Sequence, residues 1–420
     1  GVTADVWTSR LGETEIIPAD RTLTDLRLGP DASAIAAAAE LLAGAANPLV
    51  MAGAELPRWG GLAELVAIAD LLQAPVSGDT AASRSSMGFP SDHPRYLGPL
   101  RQPIDSKPPF DVVLLAGTSR LTLAGNGESL LPAGARIIEI GLRGDHLARG
   151  TPVDVLLNAD AQTSLTMLLD ALRGKTLNAD RLQARGRTAA ELASRRRASL
   201  QQALEAVWES SPIAPERLVS ELDRALESDA IVVTEGVSSD AVIMDYLRFD
   251  QTAGFRQHLI SSGGSLGWGL GAGVGARLAA PDRQTVVLLG DGSFQFGVQA
   301  LWTAGRLGTP LIVVIFNNRA YQANRWALAG LGGRAKLRER YIGINLEDPE
   351  IDHVAMARAY GLDGERVDRP GDLAAALGRA VAAERAGRVF VLDVRIARRG
   401  GGAAADWHEP APALWAHAAS

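Results

Sequence analysis

The stretch VVLLGDGSFQFGVQALWTAGRLGTPLIVVIFNN, residues 286–318, decides how the second half of the chain folds. Two apolar runs enclose a segment with helical character, Phe294 to Arg306, and this order predicts one strand–helix–strand unit of a parallel sheet. The first run ends at Gly-Asp-Gly and the second at an Asn pair. Because ligands bind where parallel strands end, we expect Asp291 to lie close to Asn317 and Asn318.

The residues at this edge predict a divalent metal ion and a diphosphate. The carboxylate of Asp291 and the Asn amide oxygens are hard donors, which suit Mg²⁺ or Ca²⁺ better than zinc. Gly290, Gly292 and Ser293 let an anion approach the backbone at the start of the following helix. The alternative is that Gly-Asp-Gly is a turn with a helix N-cap and that the Asn pair only ends a strand.

Short β-rich runs alternate with helical segments along most of the chain, which predicts an α/β fold of two doubly wound parallel-sheet domains. A segment rich in Ala, Arg, Glu and Gln, without strand signals, separates them. The predicted boundaries are 1–22 for a linker remnant, 23–174 for the first domain, 175–211 for a helical connection, 212–397 for the second domain and 398–420 for a C-terminal tail.

Composition excludes several classes of function. The net charge is -6, which argues against nucleic acid as a partner, since phosphate backbones require a concentrated positive face. The sequence has no cysteine, which excludes disulfides and thiolate chemistry and is consistent with the reducing cytoplasm. No apolar run approaches the roughly 20 residues that span a bilayer, so we expect a soluble protein without a membrane partner.

The Gly-Asp-Gly sequence, followed by an Asn pair whose second member lies 27 positions after the Asp, resembles the thiamine-diphosphate-binding motif. The order of segments resembles benzoylformate decarboxylase, acetohydroxyacid synthase and their relatives over nearly all of residues 1–395. The resemblance implies that residues 23–174 form the central domain and 212–397 the domain that binds Mg²⁺ and the cofactor diphosphate. It also implies that Asp291, the Asn318 side chain and the Ala320 carbonyl ligate Mg²⁺.

The resemblance assigns further residues to the cofactor. SSGGSLGWGL, residues 261–270, is similar to the stretch whose apolar residue holds the cofactor in its bent shape, which gives Leu266 a catalytic role and makes the Gly264 carbonyl an acceptor for the aminopyrimidine. An ordinary core leucine is the alternative for Leu266, and a helix N-cap is the alternative for Ser238. The remaining residues expected at the cofactor are Glu235, Gly236, Ser238, Gly290, Gly292, Ser293, Asn318 and Tyr321.

On the substrate side, FPSDHPRYLG, residues 89–98, resembles a loop in which some decarboxylases place a histidine toward the substrate. His93 is therefore the candidate proton shuttle, with a structural role as the alternative. After the Asn pair, the resemblance places Ala323, Asn324 and Ala327 in the substrate pocket. Asn324 is more polar than the aliphatic residue expected of a benzoylformate decarboxylase, which disfavours an aromatic 2-oxo acid.

Enzymes of this family activate the cofactor with a carboxylic acid from a pyrimidine-binding domain, and the resemblance leads us to expect that this chain lacks that domain. GVTADVWTSR resembles its last strand and exit linker, so the domain either belongs to a separate polypeptide or was removed. We expect a second polypeptide that carries this domain and its catalytic Glu, with this chain as the large subunit of a hetero-oligomer of dimer or tetramer symmetry.

The resemblance implies a thiamine-diphosphate-dependent lyase or carboligase that acts on a C–C bond next to a carbonyl, as a 2-oxo acid decarboxylase or an acyloin-type ligase. One alternative is a non-catalytic regulatory or binding subunit that retains the fold. The other is a different Mg²⁺-diphosphate protein that shares only the two motifs. No GxGxxG sequence follows a strand in residues 23–174, so the sequence gives no nucleotide site there.

Overall fold

The structure is a computed structural model. It describes residues 27–398 except for 80–86, 102–103, 105, 119–129, 143–151, 250–255, 262–263, 331–333, 338–342 and 348, together with a few isolated residues before residue 27. The expected linker 1–22 therefore lies largely outside the described residues, as does the expected tail after residue 398. Within the described part, no helix is both long and apolar enough to cross a membrane.

The first domain is a parallel sheet of six strands in the order β3-β2-β1-β4-β5-β6. Its central strands β1 and β4 are buried along their whole length, as expected for a sheet covered by helices on both faces. Its elements in chain order are α1 (Ala32–Gly44), β1 (Pro48–Ala52), α2 (Glu55–Trp59), α3 (Leu62–Leu72), β2 (Val76–Gly78), β3 (Tyr96–Pro99), β4 (Val112–Ala116), β5 (Arg136–Gly141), β6 (Val155–Asn158) and α4 (Ala161–Arg173).

One long helix, α5 (Ala179–Val207), follows the first domain and lies within the segment predicted to be a helical connection. Its side chains also contact both domains. Arg185 donates a hydrogen bond of 3.0 Å to the carbonyl of Ala46 in the first domain. Arg196 forms an ion pair of 2.6 Å with Asp245 in the second. The helix is therefore fixed against both parts of the molecule.

The second domain is another six-stranded parallel sheet, in the order β11-β12-β10-β9-β7-β8. The two sheets confirm the predicted α/β fold class. The elements are α6 (Pro215–Ala225), β7 (Ile231–Glu235), α7 (Asp240–Tyr246), β8 (Gln257–Ile260), α8 (Trp268–Ala279), β9 (Thr285–Gly290), α9 (Asp291–Gly297), α10 (Ala300–Leu307), β10 (Ile312–Asn317), α11 (Gln322–Gly330), α12 (Arg334–Leu337), α13 (His353–Ala359), β11 (Asp363–Val367), a 3₁₀ turn (Pro370–Asp372), α14 (Leu373–Arg385) and β12 (Phe390–Arg395).

The crossover between β9 and β10 differs from the single helix predicted for Phe294 to Arg306. It starts at Asp291, three residues earlier, and consists of α9 and α10 with a break at Val298 and Gln299. Gly297 ends α9, and a Cβ at this position would lie 2.7 Å from the carbonyl oxygen of Gly267. The helix therefore breaks where its backbone runs close to the loop before α8.

Candidate functional site

The parallel pairing of β9 with β10 brings the two sequence motifs together. In this pairing Phe316 lies opposite Gly290, so both strands end at the same edge of the sheet. Asp291 follows β9 directly as the first residue of α9, and Asn318 follows β10. The expectation that the Gly-Asp-Gly and Asn-Asn motifs meet is therefore confirmed for Asp291 and Asn318.

The oxygens of Asp291 and Asn318 converge on one backbone amide. Asp291 Oδ2 and Asn318 Oδ1 both accept the N–H of Ala320, at 3.2 and 2.9 Å. All three residues are at most 3% exposed. Burial is the main cause that raises the pKa of Asp291 to about 6, so a cation at this position would stabilise the ionised carboxylate.

The donor set fits a small, hard cation held jointly with a diphosphate. Across the described ranges, no group of three or more His, Cys, Asp or Glu side chains could hold a metal ion. A metal at Asp291 and Asn318 would therefore take its other ligands from the backbone, an anionic ligand and water. Proteins commonly bind Mg²⁺ in this way, through one or two carboxylates and the phosphates of a bound molecule.

A loop between β7 and α7 forms a second wall of the site. Asp240 accepts the N–H groups of Gly236 and Val237 at 2.9 and 3.0 Å, and it holds Val237 at a φ of 52°, which β-branched residues rarely adopt. Ser238 Oγ lies 3.5 Å from the Asn318 amide nitrogen. Ser239 Oγ is buried and has no hydrogen-bond partner within the described part of the chain, which leaves it available to a ligand.

Glu235, expected at the diphosphate, uses its carboxylate to hold a neighbouring loop. It accepts the N–H of Gly267 at 2.6 Å and the N–H of Gly269, and Ser293 also bonds to it. Burial raises its pKa, and these hydrogen bonds partly offset the rise. The contact of Glu235 with the diphosphate stays a prediction. The side chain of Ser293 is likewise directed to Glu235.

Leu266 and Gly264 lie on the loop that Glu235 holds. Leu266 is 36% exposed, so it is not an ordinary core leucine of this chain. Gly264 and Gly267 have φ values of 68° and 92°, a conformation that favours glycine. The loop therefore presents an apolar side chain at the surface in a backbone shape that its glycines permit.

Tyr321 covers Gly292 from the other side of the site. A Cβ on Gly292 would lie 2.3 Å from Cε1 of Tyr321, so only glycine fits beneath the ring. Gly290 and Gly236 belong to adjoining loops, since a Cβ on Gly290 would lie 3.6 Å from the Gly236 carbonyl oxygen. The Tyr321 ring also contacts Phe296 at a centroid distance of 6.5 Å.

The residues expected to contact substrate lie on α11, directly after the metal-binding turn. Asn324 and Ala327 are exposed and Ala323 is half-buried. Their contact with a substrate stays a prediction.

His93 lies in the first domain among structural partners. Its Nε2 is 3.2 Å from Asp70 Oδ1, its Nδ1 accepts the N–H of Arg95 at 3.3 Å, and its ring packs edge-on against Phe89. Burial lowers the pKa of His93. Both ring nitrogens are engaged within the first domain, and the role of His93 as a proton shuttle stays a prediction.

Sequence analysis did not identify two residues near the site, Asp393 and His353. Asp393 lies in β12 and is 1% exposed, and it accepts hydrogen bonds from Asn317 at 2.8 Å and from His353 at 3.0 Å. A single acidic residue within the apolar run VFVLDVRIA was the available signal, because a buried carboxylate requires partners. Its partners lie 76 and 40 positions away and could not be identified without the fold.

Comparison with known proteins assigns both domains. Residues 35–168 match the family model described as the central domain of thiamine pyrophosphate enzymes. Residues 240–394 match the model described as the C-terminal TPP binding domain of the same enzymes. The second match contains Asp291, Asn318 and Ala320.

Individual relatives agree with these models. The chain is 28% identical over 362 residues to benzoylformate decarboxylase of Pseudomonas aeruginosa, covering 85% of this chain and 63% of the relative. It is 29% identical over 400 residues to sulfoacetaldehyde acetyltransferase of Alcaligenes xylosoxydans xylosoxydans, covering 88% of this chain and 64% of the relative. The chain thus spans a little under two thirds of the length of these proteins.

The fold is also shared with a solved structure. The crystal structure of benzoylformate decarboxylase from Polynucleobacter necessarius superposes with a TM-score of 0.72 at 22% identity, and the alignment covers 94% of this chain and 69% of that one. Residues 35–168 and 240–394 thus belong, respectively, to the central and C-terminal domain families of the thiamine pyrophosphate enzymes.

Proposed function

We propose that this chain binds thiamine diphosphate through Mg²⁺ and is the large subunit of a lyase or carboligase that breaks or forms a C–C bond next to a carbonyl. The convergence of buried oxygens from Asp291 and Asn318 on Ala320 is the observation that carries this proposal. The names of the relatives, a decarboxylase and an acetyltransferase, support the reaction class.

In this proposal, Asp291, Asn318 and the Ala320 carbonyl hold Mg²⁺, which anchors the diphosphate. Ser238, whose Oγ lies 3.5 Å from the Asn318 amide nitrogen, and Ser239, whose hydroxyl lacks a partner among the described residues, would donate to the anion. Leu266 supports the cofactor from its exposed loop. When bound, thiamine diphosphate supplies a nucleophilic carbon that adds to a carbonyl and accepts the electrons of the broken bond.

The proposal includes a second polypeptide that carries the pyrimidine-binding domain and its catalytic Glu. Large apolar side chains that surround the Leu266 loop support this, because contiguous apolar surface is typical of protein interfaces. We call this surface the apolar face; it comprises Leu266, Trp268 and Phe296, which are 36%, 36% and 55% exposed, and a Cβ on Gly267 would lie 3.1 Å from the Cβ of Phe296. Closure of this face by a partner would also exclude water from the cofactor.

The substrate class in the proposal is a 2-oxo acid or a related carbonyl compound. The exposed amide of Asn324 on α11 offers a hydrogen bond to a polar substituent of the substrate, which supports a non-aromatic acid. Screening of the assembled protein against 2-oxo acids, with and without aldehyde acceptors, separates decarboxylation from ligation. A cytoplasmic location is part of the proposal and is supported by the absence of cysteine from the sequence.

The decisive test of cofactor binding is calorimetric titration with thiamine diphosphate in the presence of Mg²⁺. Asp291→Asn keeps the side-chain shape but removes the charge, and we expect it to weaken binding by more than about 100-fold. Asp180→Asn, at an exposed position on α5, is the matched control and should bind like the wild type. Equal binding by the Asp291 variant and the wild type would refute the metal site.

Binding of thiamine diphosphate without conversion of any substrate would instead favour the alternative that this chain is a non-catalytic subunit. The assay for this uses the protein with the polypeptide that co-purifies with it, so that a missing catalytic Glu is not the cause of inactivity. If the assembly binds thiamine diphosphate and Mg²⁺ but converts no carbonyl substrate, a regulatory role replaces the enzymatic one.

A further inference from the structure

The two asparagines at the end of β10 point to different parts of the molecule. Asn318 turns toward the candidate metal site, where its Oδ1 accepts the N–H of Ala320. Asn317 is 2% exposed and donates a hydrogen bond of 2.8 Å to Asp393 Oδ1 in the neighbouring strand β12. Asn317 is the last residue of β10, whereas Asn318 lies in the turn that follows the strand. Only one member of the pair therefore has a place in the metal site itself.

Asp393 is held from both of its oxygens. Oδ1 accepts from Asn317, and Oδ2 accepts from Nδ1 of His353, the first residue of α13, at 3.0 Å. The side chains of Asp393 and His353 are 1% and 2% exposed, so water does not compete for these bonds. Phe294 of α9 contacts the His353 ring edge-on at a centroid distance of 5.4 Å, which fixes its plane. The result is a rigid chain of three buried polar side chains.

This chain ends at the backbone of the metal-binding turn. Asn317 Oδ1 accepts the N–H of Arg319 at 3.2 Å. Arg319 has a φ of 59°, in the left-handed region that residues with a side chain rarely adopt, so the conformation needs such support. Ala320 follows directly, and its N–H is the donor shared by Asp291 and Asn318. The conformation of residue 319 therefore sets the position of Ala320 relative to Asn318.

We propose that His353, Asp393 and Asn317 are positioning residues that fix the metal-binding turn and thereby set the affinity and the selectivity for Mg²⁺. The inference rests on the proposed function, because it concerns the same site. Some residues do not touch a metal but hydrogen-bond to its ligands. Removal of such a residue commonly changes metal affinity by about 10–100-fold. In this chain the effect passes through the backbone rather than through a ligand side chain.

Selectivity between Mg²⁺ and Ca²⁺ separates a positioning role from a general structural role. Mg²⁺ requires near-ideal octahedral geometry, whereas Ca²⁺ tolerates varied geometry and longer distances. A loosened turn should therefore lose Mg²⁺ affinity more than Ca²⁺ affinity. A variant that is only less stable should change both affinities alike.

The experiment uses the full chain, purified with the polypeptide that accompanies it, and titrates thiamine diphosphate at saturating MgCl₂ or CaCl₂. In Asp393→Asn, the single amide oxygen cannot accept hydrogen bonds from both Asn317 and His353. We expect the affinity for thiamine diphosphate to fall by about 10–100-fold in MgCl₂ and to fall several-fold less in CaCl₂. The matched control is Asp223→Asn, which removes a similarly buried carboxylate that pairs with Arg248 and Arg256 in the same domain. It should lower thermal stability and leave the Mg²⁺/Ca²⁺ ratio unchanged.

A second pair of variants covers the case in which the Asp393 variant does not fold. His353→Asn retains a donor near the position of Nδ1, and His353→Leu removes it. We expect the Asn variant to keep the wild-type Mg²⁺/Ca²⁺ ratio and the Leu variant to lose it. If His353→Leu keeps the wild-type Mg²⁺/Ca²⁺ ratio, and Asp393→Asn keeps it too when that variant folds, the positioning role is overturned. The proposed function stands in that case. If the wild type binds no thiamine diphosphate with either ion, the proposed function and the positioning role both fall.

Discussion

The carboxylate of Glu235 accepts the backbone N–H of Gly267 at 2.6 Å and thereby ties the end of β7 to the loop that carries Leu266. The same carboxylate accepts the N–H of Gly269 in the first turn of α8. One side chain thus satisfies two amides that would otherwise lack partners at the start of this helix. It also gives the exposed Leu266 a defined position before any cofactor binds.

Glu235→Gln should loosen this loop. A glutamine side chain has one accepting oxygen, and its NH₂ group would face a backbone N–H, so we expect a loss of about 1–3 kcal/mol in the free energy of unfolding. Hydrogen exchange at the amides of Gly267 and Gly269 should become faster. Glu191→Gln, at an exposed position on α5, is the control. Unchanged exchange at both amides would show that Glu235 does not hold the loop.

Gly292→Ala should disturb the contact between α9 and Tyr321. The added Cβ would lie 2.3 Å from the ring, so the ring or the helix must move, at a cost of about 1–3 kcal/mol in stability. We expect weaker binding of thiamine diphosphate as well, because the turn that bears Asn318 leads directly to Tyr321. The measurements are urea unfolding and calorimetry.

Gly275→Ala is the matched control for this prediction. A Cβ on Gly275, in α8, would meet no atom within 4 Å, so alanine should raise stability by about 0.5–1 kcal/mol. If Gly292→Ala also raised stability, the ring of Tyr321 would not lie close to Gly292.

The stability of the protein should depend on the protonation of Glu216. Burial raises the pKa of Glu216 from 4.5 to about 7, and its Oε2 lacks a hydrogen-bond partner among the described residues. Because the pKa is higher in the folded state, the contribution of Glu216 is fully present below about pH 4.5 and is lost as the pH rises through about 7.

Glu216→Gln should therefore be more stable than the wild type by roughly 3 kcal/mol near pH 8 and should show no such gain near pH 4. Chemical unfolding at the two pH values measures the difference, with Glu191→Gln again as the control. An equal effect of the Glu216 substitution at both values would contradict the raised pKa.

Phe296→Asp should weaken association with the second polypeptide that we propose. Phe296 lies on the apolar face, and a buried charge there would weaken an interface by at least about 10-fold. Trp59→Asp is the control, because Trp59 is similarly exposed but lies on α2 in the first domain. Co-purification and sedimentation measure the association. If the Phe296 variant retained its partner and the Trp59 variant lost it, the interface would lie elsewhere.

The sequence predicts those features of the fold and the site that depend on residues close together in the chain. The apolar runs of β9 and β10 and the polar residues that end them predict both the strand–helix–strand unit and the meeting of Asp291 with Asn318. Strands at the sheet edges carry a weaker signal in the sequence, because β3 contains Gly98 and Pro99 and the edge strand β11, Asp363–Val367, is mostly polar.

Long-range polar contacts were beyond sequence analysis. Glu235 bonds to a loop 32 residues later, and Asn317 bonds to Asp393 76 residues later. A periodic pattern indicates which face of an element is buried, but it does not identify the partner of a buried polar group. For this reason the bonds of Glu235 to the Leu266 loop and the different roles of Asn317 and Asn318 were not recognised.

The most direct test replaces Mg²⁺ by Mn²⁺ and locates it by anomalous diffraction in crystals grown with thiamine diphosphate and the second polypeptide that we propose. We expect one peak within ligand distance of Asp291 and Asn318, beside the diphosphate of the bound cofactor. Bound thiamine diphosphate at another place, or no Mn²⁺ at these two side chains when all components are supplied, would contradict the account.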